Sequence, residues 1–289
     1  MDPVTIVAYI IAIALPFLAV YLIWALDVFG TGKLSTILLC LGWGALGAYS
    51  LAYAINNGVI ALGGSLDLLT NLAAPVIEEI LKALVLVVLV RQPRFRYIVD
   101  GTVYGFAVGI GFALSENLFI YLPRSDSAVL GTAISRTLST TLMHAAASGL
   151  VGLALGRLRR SADRQRTIWP ALGIGLAIAL HVVYNNMVGR LGGTGLLLVA
   201  IGIGLGGSAV IAWQIGQGLA DEKRRFAQTL GLNVGVSTGE RLAVQQLGGA
   251  AIERIFGELG DFFGAERIDQ IRRLLVVQAN IGILQNNLN

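Results

Sequence analysis

The chain has 289 residues, 55% of them hydrophobic and 13% charged, with a mean hydropathy of +0.74. Soluble domains carry about 25% charged residues, so the composition excludes a soluble globular protein and calls for several membrane spans. The net charge of +4 is small and the basic residues flank apolar runs, which removes any argument for nucleic acid; the single cysteine, Cys40, excludes an intrachain disulfide and a cysteine-based zinc site.

Seven apolar segments are predicted as transmembrane helices: 4–26, 34–55, 66–90, 98–122, 129–156, 168–188 and 194–219. The first, opening MDPVTIVAYII, lacks the basic start and small-residue cleavage site of a signal peptide and is expected to be retained. Basic residues orient the set. Lys33 follows span one, Arg91, Arg94 and Arg96 follow span three, Arg157, Arg159, Arg160, Arg164 and Arg166 follow span five, and Lys223, Arg224 and Arg225 follow span seven. With seven spans all four groups fall on one side, which the positive-inside rule makes the cytoplasm. The expectation is an all-α multi-pass protein of the cytoplasmic membrane, N-terminus outside and C-terminus cytoplasmic. Residues 1–220 would form the membrane core and 221–289 a small cytoplasmic helical tail.

Span three carries the unusual feature. Within its apolar run lie Glu78, Glu79 and Lys82. Ionisable groups at mid-span cost roughly 2.5–3.5 kcal/mol each, so they face a polar interior, either as an ion pair that fixes packing or as a functional site. In span four, Gly101, Gly105 and Gly109 recur every four residues, a spacing that lets backbones approach closely. The glycines of span seven (Gly202, Gly204, Gly206, Gly207) have no βαβ context and read as packing. In the tail, Leu247, Ala251, Ile255, Leu259 and Phe262 follow helical spacing, as do Ile268, Ile271, Leu275 and Ile281. Two amphipathic helices split near Gly264 are expected, as a hairpin or a self-association element.

The two histidines of the chain both lie inside spans, His144 in span five and His181 in span six. At about 1.5 Å per residue, Glu78 and Glu79 lie roughly 18–20 Å from the cytoplasmic end, His144 about 20 Å and His181 about 22 Å. Three helices thus bring ionisable groups to one level. Glu116 and Asn185 come out near 29 Å, toward the outer side. Two chemistries suit such a cluster in a dry cavity. One is hydrolysis: a buried glutamate takes a proton from water, a histidine orients that water, and a second histidine with an amide stabilises the oxyanion. Alternatively, Glu79, His144 and His181 would hold a zinc ion with an open water position, assembled from separate helices because no HExxH is present. The other chemistry is a proton or ion relay in a membrane transporter.

PVIEEILK, GFALSENLF, the lone His144 and HVVYN together resemble the PrsW family of intramembrane proteases, which is distantly similar to the CAAX prenyl endopeptidases and bacteriocin-processing proteins. The resemblance covers about residues 70–190 in the family's order: Glu-Glu-x-x-Lys, Phe-x-x-x-Glu-Asn, then two histidine-bearing spans. It implies that Glu78 and Glu79 are essential, that His144 and His181 complete the site, and that Asn185 assists at the oxyanion. Lys82, Glu116 and Asn117 would support them. It further implies peptide-bond hydrolysis in a membrane-anchored protein such as an anti-sigma factor, by a zinc-dependent or a glutamate-type mechanism.

Overall fold

The computed structural model of the chain describes residues 2–25, 33–92, 95, 98–125, 129–160, 168–188 and 190, isolated positions between 198 and 216, and residues 256–257 and 264–286. Among these residues the regular structure is helical and no strand occurs. The helices are α1 (Pro3–Ala25), α2 (Leu34–Ala61), α3 (Ala74–Val90), α4 (Ile98–Glu116), α5 (Val129–Arg160), α6 (Ile168–Val188) and α7 (Ala265–Asn286). Two compact units result, Met1–Ile215 and Gly216–Asn289.

The all-α membrane class stands, and five of the seven expected spans are matched among the described residues. Five described helices are long and apolar enough to cross a membrane: Pro3–Ala25, Leu34–Ala61, Val99–Arg124, Val129–Leu158 and Ile168–Val188. The predicted third span is one helical run, formed by Leu66–Leu68, Leu69–Ala73 and α3, but Glu78, Glu79 and Lys82 set it apart by composition. The predicted seventh span lies mostly outside the described residues. One of its described glycines, Gly207, lies against Ala146 of α5.

Helices α4 and α5 form the centre, and the glycine ladder explains their register. A Cβ on Gly101, Gly105 or Gly109 would run into the backbone carbonyls of Gly152, Ser148 and His144 respectively. The two helices are therefore antiparallel and nearly touch, with van der Waals contact in place of a hydrophobic driving force. Val108, Ile110, Met143 and Val151 complete the seam, and Ile37, Cys40 and Leu41 of α2 pack onto it. The helix α2 widens into a π-type turn at Trp43–Ala48. There Ser115 donates to the Ala45 carbonyl at 2.6 Å, and Trp43 Nε1 donates to Leu81 O at 3.1 Å. These bonds join α2 to both α4 and α3.

A second irregularity precedes α3. Leu69–Ala73 is again π-type, and Ala74 N–H bonds back to Leu69 O. Pro75 follows and has no N–H to offer Thr70 or Asn71. The side chains of α6 fill the gap: Asn185 Nδ2 donates to Thr70 O at 2.9 Å and Asn186 Nδ2 to Asn71 O at 3.1 Å. The turn before the two glutamates is thereby tied to the helix that carries His181.

In the second unit, α7 starts directly after Gly264, whose φ of 83° is open to glycine but strained for other residues. The expected second tail helix begins at that position. Ile268 and Leu275 are its buried face, and Arg272 lies over the Phe256 ring at 5.4 Å. The predicted tail helix through Leu247 and Leu259 lies outside the described residues.

Candidate active site

Four helices converge on one buried cluster. Glu78, Glu79 and Lys82 come from α3, Glu116 ends α4, and α5 and α6 supply His144 and His181. Helix α3 presents its charged groups inward because residues 78, 79 and 82 lie within one turn, three and four apart. Lys82 reaches back three residues to Glu79 Oε1 at 2.6 Å, both side chains almost wholly buried. Glu79 Oε1 also accepts from His181 Nδ1 at 2.8 Å. The two rings meet edge to face with centroids 4.7 Å apart, and Phe112 walls the site from α4, 5.2 Å from the His144 ring.

The bonds assign the proton positions. Lysine only donates, so Lys82 Nζ donates to His144 Nδ1 at 2.8 Å. The proton of neutral His144 then sits on Nε2, which faces Glu116 Oε2 at 3.3 Å. By the same logic His181 donates from Nδ1 to Glu79, which leaves a lone pair on Nε2. That lone pair faces Glu78 Oε2 across 3.8 Å. Glu78 Oε2 is buried and has no hydrogen-bond partner among the described residues. Two acceptors face each other with no donor between them, a combination that calls for a proton, a water or a cation.

The fit to a metal follows from the same atoms. Glu78, His144 and His181 each offer one ligand atom, and the three atoms lie within 4.8 Å of one another. Carboxylate and imidazole are ordinary zinc donors. The Glu79 carboxylate behind His181 is the kind of partner that orients a ligating histidine. The sequence suggested Glu79 as the third ligand; in the structure Glu78 stands in that position. Glu79 Oε1 is already shared by Lys82 and His181, and its Oε2, although also unpartnered among the described residues, is not part of the converging set.

Glu116 and Asn117 sit beside His144, linked to Arg136 of α5. Arg136 Nη2 lies 3.3 Å from Glu116 Oε2, and its Nε donates to Asn117 Oδ1 at 3.2 Å. Its guanidinium stacks 3.1 Å above the Tyr121 ring. Glu116, placed about 9 Å above the histidines by residue counting, nevertheless reaches His144. Side chains lean toward their own helix N-terminus, and in the antiparallel pair α4 and α5 this tilts Glu116 and His144 toward each other. Asn185 is not drawn into the cluster by any bond of its amide to a charged group; its described bond is the tie to Thr70.

Two contributors escaped the sequence reading. Asn56 of α2 lies within interaction range of the Glu78 side chain, and the signal was present, since Asn56 and Asn57 end an otherwise apolar run. Tyr184 of α6 bonds Ser139 and Thr140 of α5 at 3.0 and 2.9 Å, which closes the helix pair on the Arg136 side of the histidines.

Comparison with known proteins yields a consistent result. A protein of Bacillus subtilis (strain 168) named Protease PrsW is 31% identical over 125 residues, covering 43% of this chain and 56% of that protein. A protein of the same name from Halalkalibacterium halodurans is 29% identical over 98 residues, 34% of this chain and 43% of its own length. The matched stretch thus spans about half the length of these relatives. No solved structure matches the chain. Residues 32–213, well over half of the sequence, match the family described as PrsW family intramembrane metalloprotease, and the chain belongs to that family.

Proposed function

We propose that this chain is an intramembrane endopeptidase that hydrolyses a peptide bond in a membrane-anchored protein. The observation that carries the reading is the unpartnered Glu78 Oε2 facing His181 Nε2 at 3.8 Å, with His144 alongside. A hydrolase needs such an acceptor pair, buried and open to one small ligand. Family membership counts against the ion-coupled transporter.

In this proposal Glu78, His144 and His181 hold the water-activating centre. A zinc ion bound there would supply Lewis acidity to water and to the scissile carbonyl. Glu79, backed by Lys82, keeps His181 in the tautomer whose lone pair faces Glu78. Glu116, with Asn117 and Arg136, holds the proton on His144 Nε2 while Nδ1 accepts from Lys82, so His144 joins a metal only when one of these two bonds gives way. Asn185 gives one amide hydrogen to Thr70 and keeps the second for the substrate carbonyl. The chain crosses the cytoplasmic membrane seven times, N-terminus outside, and carries residues 221–289 as a cytoplasmic tail that promotes self-association. The substrate is a membrane-anchored regulator of the anti-sigma-factor kind.

The test is a cleavage assay on a membrane-anchored reporter in proteoliposomes, run beside metal analysis of protein purified without chelators. About one zinc per chain, lost in His181→Ala and Glu78→Gln together with cleavage, is the expected result. Cleavage that persists in Glu78→Gln would overturn the assignment of that carboxylate.

A further inference from the structure

Buried polar atoms without partners are rare, and along α5 they are not scattered. Thr137 Oγ1 and Thr141 Oγ1 are buried with no hydrogen-bond partner among the described residues, and so is Asn117 Nδ2, which belongs to the turn that follows α4. Thr137, Thr141 and His144 are spaced by four and three residues, so they lie on one face of α5. Thr141 stands about 4.5 Å and Thr137 about 10.5 Å from His144 along the axis, toward the Arg136 end. The neighbouring hydroxyls Ser139 and Thr140 differ, because both are satisfied by Tyr184. Only the face that leads to His144 leaves its hydroxyls open. A helical threonine can satisfy itself by bonding the carbonyl four residues back, and these two do not.

The far end of this face is where the cluster opens. Glu116 and Arg136 are 12% and 15% exposed, whereas His144 is 1% exposed. A charged pair that opens from a bundle faces water and not hydrocarbon. Asn117 lies beside the pair, held through its Oδ1 by Arg136 at 3.2 Å, with its Nδ2 left over. From the Arg136 end the order of the open atoms is Asn117, Thr137 and Thr141 and then His144, with Glu116 alongside, touching both Arg136 and His144.

We infer that this face is a water file: a narrow path, lined by Asn117, Thr137 and Thr141, that supplies water to the histidine pair from the Arg136 end of α5. Its ligand is water, the co-substrate of any hydrolysis at the site, and to that extent it rests on the hydrolytic reading. Each open atom then has a donor or acceptor to meet, as buried polar groups generally do. On the Arg157 side of His144 the same face offers only Ser148 Oγ as an unpartnered hydroxyl, so the path runs one way.

The test reads water access without needing a substrate. Single cysteines replace Thr137, Thr141, Ser148 and the outward-facing Leu138 (39% exposed) in full-length protein carrying Cys40→Ser. Membranes are treated with silver ion, a probe close to water in size that reacts with ionised thiols. The protein is then denatured and its remaining thiols are counted with a mass-shifting maleimide. Thr137→Cys and Thr141→Cys are expected to lose the mass shift, while Leu138→Cys keeps it. A Thr141→Cys that behaves like Leu138→Cys overturns the path, and so does a Ser148→Cys that reacts while Thr141→Cys does not. Kinetically, Thr141→Val is expected to slow turnover about tenfold, the equivalent of one hydrogen bond to water, with KM unchanged and Thr141→Ser restoring the rate. If the silver pattern holds but wild-type protein cleaves no reporter, the path stands and the protease reading fails.

Discussion

The two histidines are held in the same way by two different constructions. His181 bonds Glu79, which is backed by Lys82; His144 bonds Glu116, which is backed by Arg136. The first network joins α3 to α6, has its acid and cation one turn apart on α3, and is fully buried. The second is assembled from α4 and α5 and opens partly at Arg136. Lys82 also reaches His144, so the closed network anchors the open one. Glu78 belongs to neither: its Oε2 faces His181 Nε2 without a hydrogen bond, whereas Glu79, whose Oε2 is also unpartnered among the described residues, is already bound through Oε1 to Lys82 and His181. Carboxylates that are consumed by cations orient their neighbours, whereas the carboxylate left over is available for chemistry.

The contrast can be broken most severely at Glu78. Glu78→Gln is expected to lower cleavage by about 10²–10⁴-fold while thermal stability in detergent is retained, because Glu78 Oε2 makes no hydrogen bond among the described residues and its nearest histidine nitrogen is 3.8 Å away. A comparable loss from Glu79→Gln accompanied by unfolding would fit an orienting acid, and one without unfolding would move the reactive role to Glu79.

Next in size is Lys82→Met. It strands Glu79 in the core and is expected to cost about 3–5 kcal/mol, read as a lowered unfolding midpoint. Restoration of stability by a second change, Glu79→Gln, would show that the penalty comes from the uncompensated charge.

The open network is the milder target. Arg136→Met is expected to reduce cleavage about 10–100-fold, as loss of an outer partner of a ligating histidine does, and to cost only about 1 kcal/mol of stability. A stability loss as large as that of Lys82→Met would erase the distinction between the two networks.

The smallest effect lies at the tie that holds α6 to the turn before α3. Asn186→Ala is expected to destabilise by about 1 kcal/mol, because Asn71 O is left without a donor. Pro75→Ala supplies a backbone N–H to that carbonyl, so the double variant should lose less than the single losses combined. Additive losses in a double-mutant cycle would mean that Asn186 does not substitute for the missing proline donor.

Composition and periodicity made the membrane class, the helix order and the level of the ionisable groups readable along the chain. Glu78, Glu79, His144 and His181 stood out because charged and imidazole side chains are expensive in apolar runs, and Gly101, Gly105 and Gly109 announced a close helix pair by their spacing. Linear sequence does not encode which of two adjacent carboxylates a distant side chain will claim. Glu78 and Glu79 differ by one residue, a rotation of about 100° around α3, and only the placement of α6 assigns His181 Nδ1 to Glu79 and leaves Glu78 Oε2 open. Arg136 has the same history: it could have turned outward to the interface until α4 brought Glu116 and Asn117 within 3.3 Å. The sequence by itself therefore determined that polar groups would meet inside the helix bundle, because each helix carries its own level and face. The tertiary structure alone decided which groups neutralise one another and which remains free, because that depends on how four helices pack.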